Sequence, residues 1–190
     1  MTEMPTTTVT VDGTGFAVDV AGPENAGVVV LLGSAQLAPA AYDGVCQRLH
    51  TASLRTVVIA AHPKLDAATV IAIMDTFDIR WSTLVGDRAG AEIAWELAAT
   101  RLDRFTGLVV IDRGHPRVAD EAGVTRDENC TPVEVATTVL VSNAKAADVA
   151  KASQRYVYGE FRLVELLGRR NAGESTAQLA AEIVMRTSTW

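Results

Sequence analysis

The stretch LVGDRAGAEIAWELA, residues 84–98, carries the clearest structural signal in this chain. Its apolar start is typical of the end of a buried strand, and its alanine-rich second half has the periodicity of an amphipathic helix. Between them, Gly86 and Gly90 flank Asp87, Arg88 and Ala89. Small residues at both ends let a backbone turn sharply and approach its neighbours closely. The stretch therefore predicts a strand, a tight turn centred on Arg88 and a helix.

Apolar, β-branched runs alternate with helical segments along the chain, which is typical of a mostly parallel sheet covered by helices on both faces. We predict eight strands, at 6–11, 16–20, 28–33, 56–61, 82–86, 108–112, 137–142 and 161–167. The first two are joined by the turn signal Asp12-Gly13, which predicts an antiparallel hairpin. Helices are predicted at 39–50, 67–77, 90–100, 144–154 and 175–187. No linker or repeat interrupts this pattern, so one domain over residues 1–190 is expected.

Composition argues against several classes of function. The net charge is −6 and the longest basic run is Arg169-Arg170, whereas nucleic-acid binding needs a positive stripe. No apolar run approaches the ~20 residues of a membrane span, and the N-terminus lacks the apolar core of a signal peptide. Cys46 and Cys130 are far apart in the sequence, which argues against a disulfide framework or a metal site. We therefore expect a soluble, cytoplasmic protein without metal, cofactor, nucleic-acid partner or membrane contact.

The hairpin, the alternating strands and helices, and the glycine turn after the fifth strand together resemble the α/β-hydrolase family. Residues 28–49 (VVVLLGSAQLAPAAYDGVCQRL) look like the family's third strand, oxyanion loop and first helix. Residues 101–116 look like the approach to its sixth strand, and residues 161–173 like its last strand and histidine loop. The resemblance spans roughly residues 9–187 and implies an α/β-hydrolase-like fold with its nucleophile elbow centred on Arg88. It also implies an oxyanion donor near Gly33 and Ser34.

The same resemblance identifies what this chain lacks. In the family a serine at the centre of the elbow attacks, a histidine takes its proton and an acid orients the histidine. Arg88 stands at the central position, and a guanidinium only donates hydrogen bonds. The loop that should carry the histidine reads Gly168-Arg169-Arg170-Asn171, and no histidine follows His115. The acid position offers only Asn143 and Asp148, so we predict that the catalytic triad is lost.

Arg88 allows two interpretations. It stands at the positive N-terminal end of a helix, so a nearby anion should neutralise it. Asp87, Asp112 and Asp148 are expected to do so, which would plug the pocket. Alternatively, Arg88, the first helix amides and Arg170 hold a small anionic ligand. The residues expected at this elbow and anion site are Gly33, Ser34, Gly86, Asp87, Arg88, Ala89, Gly90, Asp148 and Arg170.

A displaced catalytic set is the alternative hypothesis. Ser34, Asp112 and His115 all follow predicted strands and should lie at the carboxyl edge of the sheet, where ligands bind in open α/β folds. In this arrangement His115 would act as the base for Ser34, and Asp112 would orient it. The protein would then be a small esterase-like hydrolase. Asp87 is one residue too early in the turn to serve as the nucleophile.

Residues 113–136 fill the interval in which the family usually inserts a cap, and this polar segment has room for one short helix at most. We therefore expect no cap domain and a shallow pocket. The sequence predicts a protein of this fold that acts by ligand binding or by assembly into a homo- or hetero-oligomer. Trp190 and the apolar stretch 180–185 are the candidate contacts for assembly.

Overall fold

The computed structural model describes residues 5–35, 37–167 and 172–188. Within them, eight strands form one sheet in the order β1-β2-β4-β3-β5-β6-β7-β8. The strands are β1 (Thr6–Val11), β2 (Thr14–Ala21), β3 (Gly27–Leu32), β4 (Leu54–Ile59), β5 (Ser82–Asp87), β6 (Phe105–Ile111), β7 (Thr137–Val141) and β8 (Phe161–Glu165). All eight predicted strands are present, and only their ends differ by a few residues. Strand β6 starts earlier than predicted because Phe105 pairs with Ser82 across a register shift.

The pairing of the strands confirms a mostly parallel sheet. Strands β1 and β2 form the predicted antiparallel hairpin, in which Asp12 and Gly13 have φ angles of 48° and 79°. Two consecutive positive φ values are required by the type I′ turn that favours Asp-Gly. Strand β2 also runs antiparallel to β4, and the remaining neighbours are parallel. The carboxyl ends of the parallel strands therefore share one edge of the sheet, where the elbow lies.

Five α-helices occur in the described part of the chain. They are α1 (Asp43–Thr51), α2 (Ala67–Thr76), α3 (Ala89–Thr100), α4 (Ala144–Ser153) and α5 (Ala172–Thr187). The sequence predicts one continuous helix over 39–50, but residues Pro39–Tyr42 form a 3₁₀ turn before α1. Tyr42 leaves this turn with φ −97° and ψ 0°, which is not α-helical, so the α-helix begins only at Asp43.

The helices cover both faces of the sheet, as predicted. Helices α1 and α5 pack on one face, where Leu31 shares a buried cluster with Cys46 and Ile183. Helices α2, α3 and α4 pack on the other face, where Leu32 shares a cluster with Trp95. Successive strand residues point to opposite faces, which places Leu31 and Leu32 in different layers. Cys46 is fully buried in the cluster that it shares with Leu31.

In the part of the chain that the structure describes, no cap covers the carboxyl edge of the sheet. Between β6 and β7, residues 112–136 form turns and one isolated bridge, which joins Val133 to Val157. None of the helices in the described ranges has the length and apolar character needed to cross a bilayer.

Helix α5 corrects one expectation about assembly. Ala180 and Ile183 are buried in the cluster between α5 and the sheet, so the stretch 180–185 is mostly used inside the chain. Met185 alone in this stretch is an exposed large apolar side chain. Trp190, the other expected contact, lies outside the described residues.

Candidate functional site

The elbow is formed by the end of β5, Arg88 and the start of α3. Arg88 has φ 49° and ψ −102°, and its backbone N–H donates to the carbonyl oxygen of Ile111 at 3.1 Å. The two glycines are required by close packing. A Cβ on Gly86 would lie 2.5 Å from the Ala91 Cα, and one on Gly90 would collide with the carbonyl oxygen of Leu32. These contacts explain why the turn carries glycine on both sides.

Two carboxylates flank the Arg88 guanidinium. Its Nη1 donates to Asp87 Oδ1 at 3.1 Å, and its Nη2 lies 3.7 Å from Asp112 Oδ2. The Arg88 side chain is 43% exposed, whereas those of Asp87 and Asp112 are 5% and 6% exposed. Pairing with Asp87 and Asp112 was predicted and is present. The partly exposed guanidinium of Arg88 is therefore flanked by two buried carboxylates at the carboxyl edge of the sheet.

The other expected members of the anion site do not join Arg88. Asp148 is exposed on α4 and forms no ion pair with Arg88. Its expected role as a partner of Arg88 is therefore wrong, and Asp112, directly after β6, pairs with Arg88 instead. Arg170 and Arg169 lie outside the described residues.

Asp112 is held in place by the end of the neighbouring strand. The backbone N–H of Ser142 donates to Asp112 Oδ1 at 2.7 Å, and its hydroxyl donates to Oδ2 at 2.6 Å. Sequence analysis missed Ser142, although its place directly after β7 matches that of Asp112 directly after β6. These bonds orient the carboxylate that faces Arg88.

Asp87 is held from the opposite side by Tyr42. The Tyr42 hydroxyl donates to Asp87 Oδ2 at 2.7 Å and accepts the backbone N–H of Ser34 at 2.8 Å. All three residues are buried. Burial and the carboxylate of Asp87 raise the pKa of the Tyr42 phenol above its ordinary value, although the Ser34 hydrogen bond opposes them, so Tyr42 stays a neutral donor. Gly33 leaves room for this ring, because a Cβ there would be 3.2 Å from it.

Tyr42 was also missed by sequence analysis. It belongs to a predicted helix, and no local pattern distinguishes it from other core aromatic residues. Its two partners lie 8 and 45 residues away in the chain, so only the order of the strands brings the three together.

The structure does not support the displaced catalytic set of Ser34, Asp112 and His115. His115 is fully buried, and its Nδ1 accepts the backbone N–H of Arg117 at 3.2 Å. Its Nε2 lies 2.9 Å from the carbonyl oxygen of Thr131. Both ring nitrogens are therefore engaged by backbone groups, and the ring cannot take a proton from Ser34. Asp112 bonds to Ser142 instead of orienting the imidazole.

The His115 ring has a packing role. It stacks on Tyr156 with the ring centroids 4.9 Å apart and meets Trp95 edge-on at 5.5 Å. Burial lowers the pKa of the imidazole, partly offset by its bond to Thr131. The prediction that placed it at an exposed sheet edge missed that Thr131, later in the same connection, and the rings of Trp95 and Tyr156 enclose it.

Two cavities adjoin the elbow region. One, of about 320 Å³, is bordered by Gly33 and Ala35 after β3, Ala61 and His62 after β4, and Ala89 and Gly90 at the start of α3. The other, of about 210 Å³, lies beyond Asp112 and is bordered by Asp112, Arg113, Asp120 and Glu121 among others. Its three carboxylates outnumber its single guanidinium, so its charge disfavours an anion.

This sheet order, the helices on both faces and the strained turn between β5 and α3 define an α/β-hydrolase fold. No family model and no curated protein matches the sequence. Among solved structures, epoxide hydrolase A from Mycobacterium thermoresistibile aligns with a TM-score of 0.77 and 12% identity, covering 97% of this chain and 98% of that chain.

Two further structures show the same similarity. Est1E from Butyrivibrio proteoclasticus has a TM-score of 0.72 and 11% identity, covering 97% of this chain and 99% of that chain. A loop variant of haloalkane dehalogenase from Bradyrhizobium elkanii has a TM-score of 0.73 and 11% identity, covering 97% of each chain. At such identities the similarity establishes the fold, and the chemistry must be argued from the site residues.

Proposed function

We propose that this chain is a non-hydrolytic protein on the α/β-hydrolase fold that acts by binding a small ligand at the carboxyl edge of the sheet. The observation that carries the proposal is the position of Arg88. Its backbone has the strained geometry of an elbow, while its side chain is a guanidinium paired with Asp87 and Asp112. A guanidinium stays protonated and cannot act as a nucleophile.

Among the described residues, no imidazole is in hydrogen-bond or ion-pair contact with the Arg88 side chain, whose partners are the carboxylates of Asp87 and Asp112. Hydrolysis through an activated hydroxyl requires a base within hydrogen-bond reach of the nucleophile. His115 is enclosed by backbone partners, and the Nε2 of His50 is engaged with the Thr56 hydroxyl at 2.8 Å. The Ser34 amide, which the resemblance assigns to oxyanion binding, is already bonded to Tyr42. These contacts support binding over catalysis.

Ligand binding is better supported than assembly. The apolar stretch 180–185, which was expected to contact a partner, packs largely against the sheet through Ala180 and Ile183. By contrast, the cavity of about 320 Å³ beside the elbow falls within the usual size range of small-molecule sites.

Two measurements test this function. Incubation with a fluorophosphonate probe and with p-nitrophenyl acetate should give neither covalent labelling nor saturable turnover above a denatured control. Arg88→Ser should also show neither labelling nor turnover, because it restores a hydroxyl without an imidazole in contact to take its proton. Turnover by the native chain, or by Arg88→Ser alone, would show that a functional base exists and would overturn the non-hydrolytic assignment.

The binding half of the proposal is tested separately. A fragment library of mixed charge, screened by ligand-observed NMR, should yield fragments whose binding saturates and is reduced by Ala35→Phe at the cavity. The matched control is Ala38→Phe, which makes the same change at another exposed residue of this loop outside the cavity lining. If no fragment of any charge binds, or if both variants behave alike, ligand binding at this edge is rejected.

A further inference from the structure

We infer that the cleft around Trp81, at the amino edge of the sheet, binds a saccharide through one face of a sugar ring and its hydroxyl groups. The cleft has a volume of about 650 Å³ and lies where the connections after α2 and α3 lead into β5 and β6. Trp81 directly precedes β5 and Arg88 directly follows it, so an extended strand of roughly 20 Å separates the cleft from the elbow. The cleft is therefore distinct from the cavity beside the elbow, and its binding goes beyond the proposed function.

Trp81 lines this cleft with an unpaired aromatic ring. It is 63% exposed, whereas tryptophan is usually highly buried. Within the described residues, no other ring stacks on it and no cation lies over its face. The face of an indole is negative and attracts groups with partial positive charge. The C–H groups on one face of a pyranose carry such charge, because the neighbouring oxygens polarise them.

Arg104 provides a fixed hydrogen-bond donor in the cleft. Its Nε donates to the carbonyl oxygen of Arg80 at 2.8 Å, and its Nη2 donates to the carbonyl oxygen of Ile79 and to Asp75 Oδ1, each at 2.7 Å. The side chain is only 12% exposed. In the described part of the chain, no hydrogen bond engages its Nη1. A guanidinium that is already oriented loses little side-chain entropy when it binds a ligand oxygen.

Two carboxylates supply acceptors beside this donor. Asp78 is exposed, and among the described residues its side chain forms no hydrogen bond or ion pair. Asp75 is 62% exposed and uses Oδ1 for Arg104, which leaves Oδ2 available. A hydroxyl group both donates and accepts, so it can bind a carboxylate and a guanidinium at the same time. Neighbouring hydroxyl groups on a ring therefore match this arrangement.

The balance of charge in the cleft favours a neutral ligand. Its charged lining residues are Asp75, Asp78, Asp103, Arg80 and Arg104. Asp103 is also neutralised by Arg101, which donates to it twice at 3.0 Å. Both signs of charge are present, so an anion and a cation would each meet like charge. A wholly apolar ligand would remove water from these groups without replacing its hydrogen bonds, which is unfavourable.

The test uses maltotetraose, cellotetraose and chitotetraose. Each is titrated into the full chain and followed by saturation-transfer NMR and tryptophan fluorescence. We expect at least one of them to bind, with transfer strongest to its ring C–H protons. Trp81→Ala should weaken this binding at least about tenfold. Tyr158→Ala, which removes another exposed aromatic side chain, should leave it unchanged.

Asp78→Asn tests the hydrogen bonds to the hydroxyl groups. Asp78 has φ 55°, which asparagine also tolerates, so the substitution removes the charge without straining the backbone. Loss of a charge-assisted hydrogen bond should weaken saccharide binding about fivefold. The matched control is Asp12→Asn in the hairpin turn, at an exposed residue with φ 48°, which should bind as the native chain does.

Contrary results would identify other occupants of the cleft. Absence of binding by all three saccharides, or binding that Trp81→Ala leaves intact, would overturn the inference. Tighter binding of benzyltrimethylammonium than of any saccharide, lost in Trp81→Ala, would overturn it in favour of a cation site. Sedimentation showing a dimer that Trp81→Ala dissociates would identify a second copy of the chain on this surface instead. The fragment screen with Ala35→Phe tests the proposed function independently of these results.

Discussion

Arg88 is held at the elbow by its backbone as well as by its side chain. Its φ of 49° and ψ of −102° fall in a region that side-chain-bearing residues rarely adopt, at a cost of about 1–3 kcal/mol. The bond from its N–H to Ile111 and the close packing around Gly86 and Gly90 maintain this geometry. These contacts support the backbone of the turn without involving the Arg88 side chain.

The Tyr42 hydroxyl contributes to stability through its two buried partners. In Tyr42→Phe, the Ser34 N–H and one oxygen of Asp87 lose their hydrogen bonds while remaining buried. We expect the free energy of unfolding in urea to fall by about 1–3 kcal/mol, the cost of leaving buried polar groups unpaired.

Tyr158 provides the matched control for that experiment. It is 72% exposed, so removal of its hydroxyl in Tyr158→Phe should change the stability by less than about 0.5 kcal/mol. Equal effects in the two variants would show that the bonds of Tyr42 to Ser34 and Asp87 are not stabilising.

At the level of elements, the start of α3 depends on its close approach to the end of β3. Gly90 is the point of contact, since a Cβ there would overlap the Leu32 backbone. The collision is with main-chain atoms, which cannot move aside by rotating a side chain. The first turn of α3 and the loop after β3 are therefore fixed relative to each other, and both border the cavity.

Gly90→Ala should separate these two elements. We expect it to lower the free energy of unfolding by about 3 kcal/mol, as overpacking does in a dense interior. The control is Gly27→Ala at the start of β3, where a Cβ would meet only the Leu54 side chain at 3.4 Å. A loss of similar size in both variants, measured by urea unfolding, would contradict the close approach.

At the scale of the whole molecule, the connection between β6 and β7 is anchored through His115. Its ring is enclosed by Trp95, Tyr156 and the backbone of residues 117 and 131. Burial lowers the pKa of this imidazole in the folded chain, and the nearby charges of Arg117 and Arg126 act in the same direction. The folded state therefore takes up a proton less readily than the unfolded chain.

This difference predicts a pH-dependent stability. Because the unfolded imidazole has the higher pKa, the contribution of His115 is complete above about pH 6.5 and is lost as the pH falls below it. His115→Asn keeps an acceptor for the Arg117 N–H but does not titrate. We expect its stability to fall less than that of the native chain between about pH 7.5 and about pH 5.5. Burial also lowers the pKa of His50, and this contribution remains in both proteins; identical pH profiles would contradict the assignment.

The sequence by itself was sufficient for the elements and their layering. Runs of β-branched residues, the Asp12-Gly13 turn and the alternation of strands with helices predicted all eight strands, because these signals depend on residues that are near one another in the chain. The elbow and the arginine at its centre were also predicted from the sequence, because Gly86, Arg88 and Gly90 lie within five residues of one another. In the described part of the chain, the exact ends of elements and two 3₁₀ turns, Pro39–Tyr42 and Gln154–Tyr156, differed from the prediction.

The site required the tertiary structure. Tyr42 meets Asp87, and Ser142 meets Asp112, through bonds that cross 45 and 30 residues of chain. No local pattern encodes such pairs, because they depend on which strands become neighbours in the sheet. His115 is a second example. Its place after β6 predicts an exposed position, but Thr131, later in the same loop, contacts its ring and His115 is buried. Patterns of residues close together in the sequence thus determined the strands, the helices and the elbow. Hydrogen bonds between buried residues far apart in the chain decided which side chains remain available to a ligand.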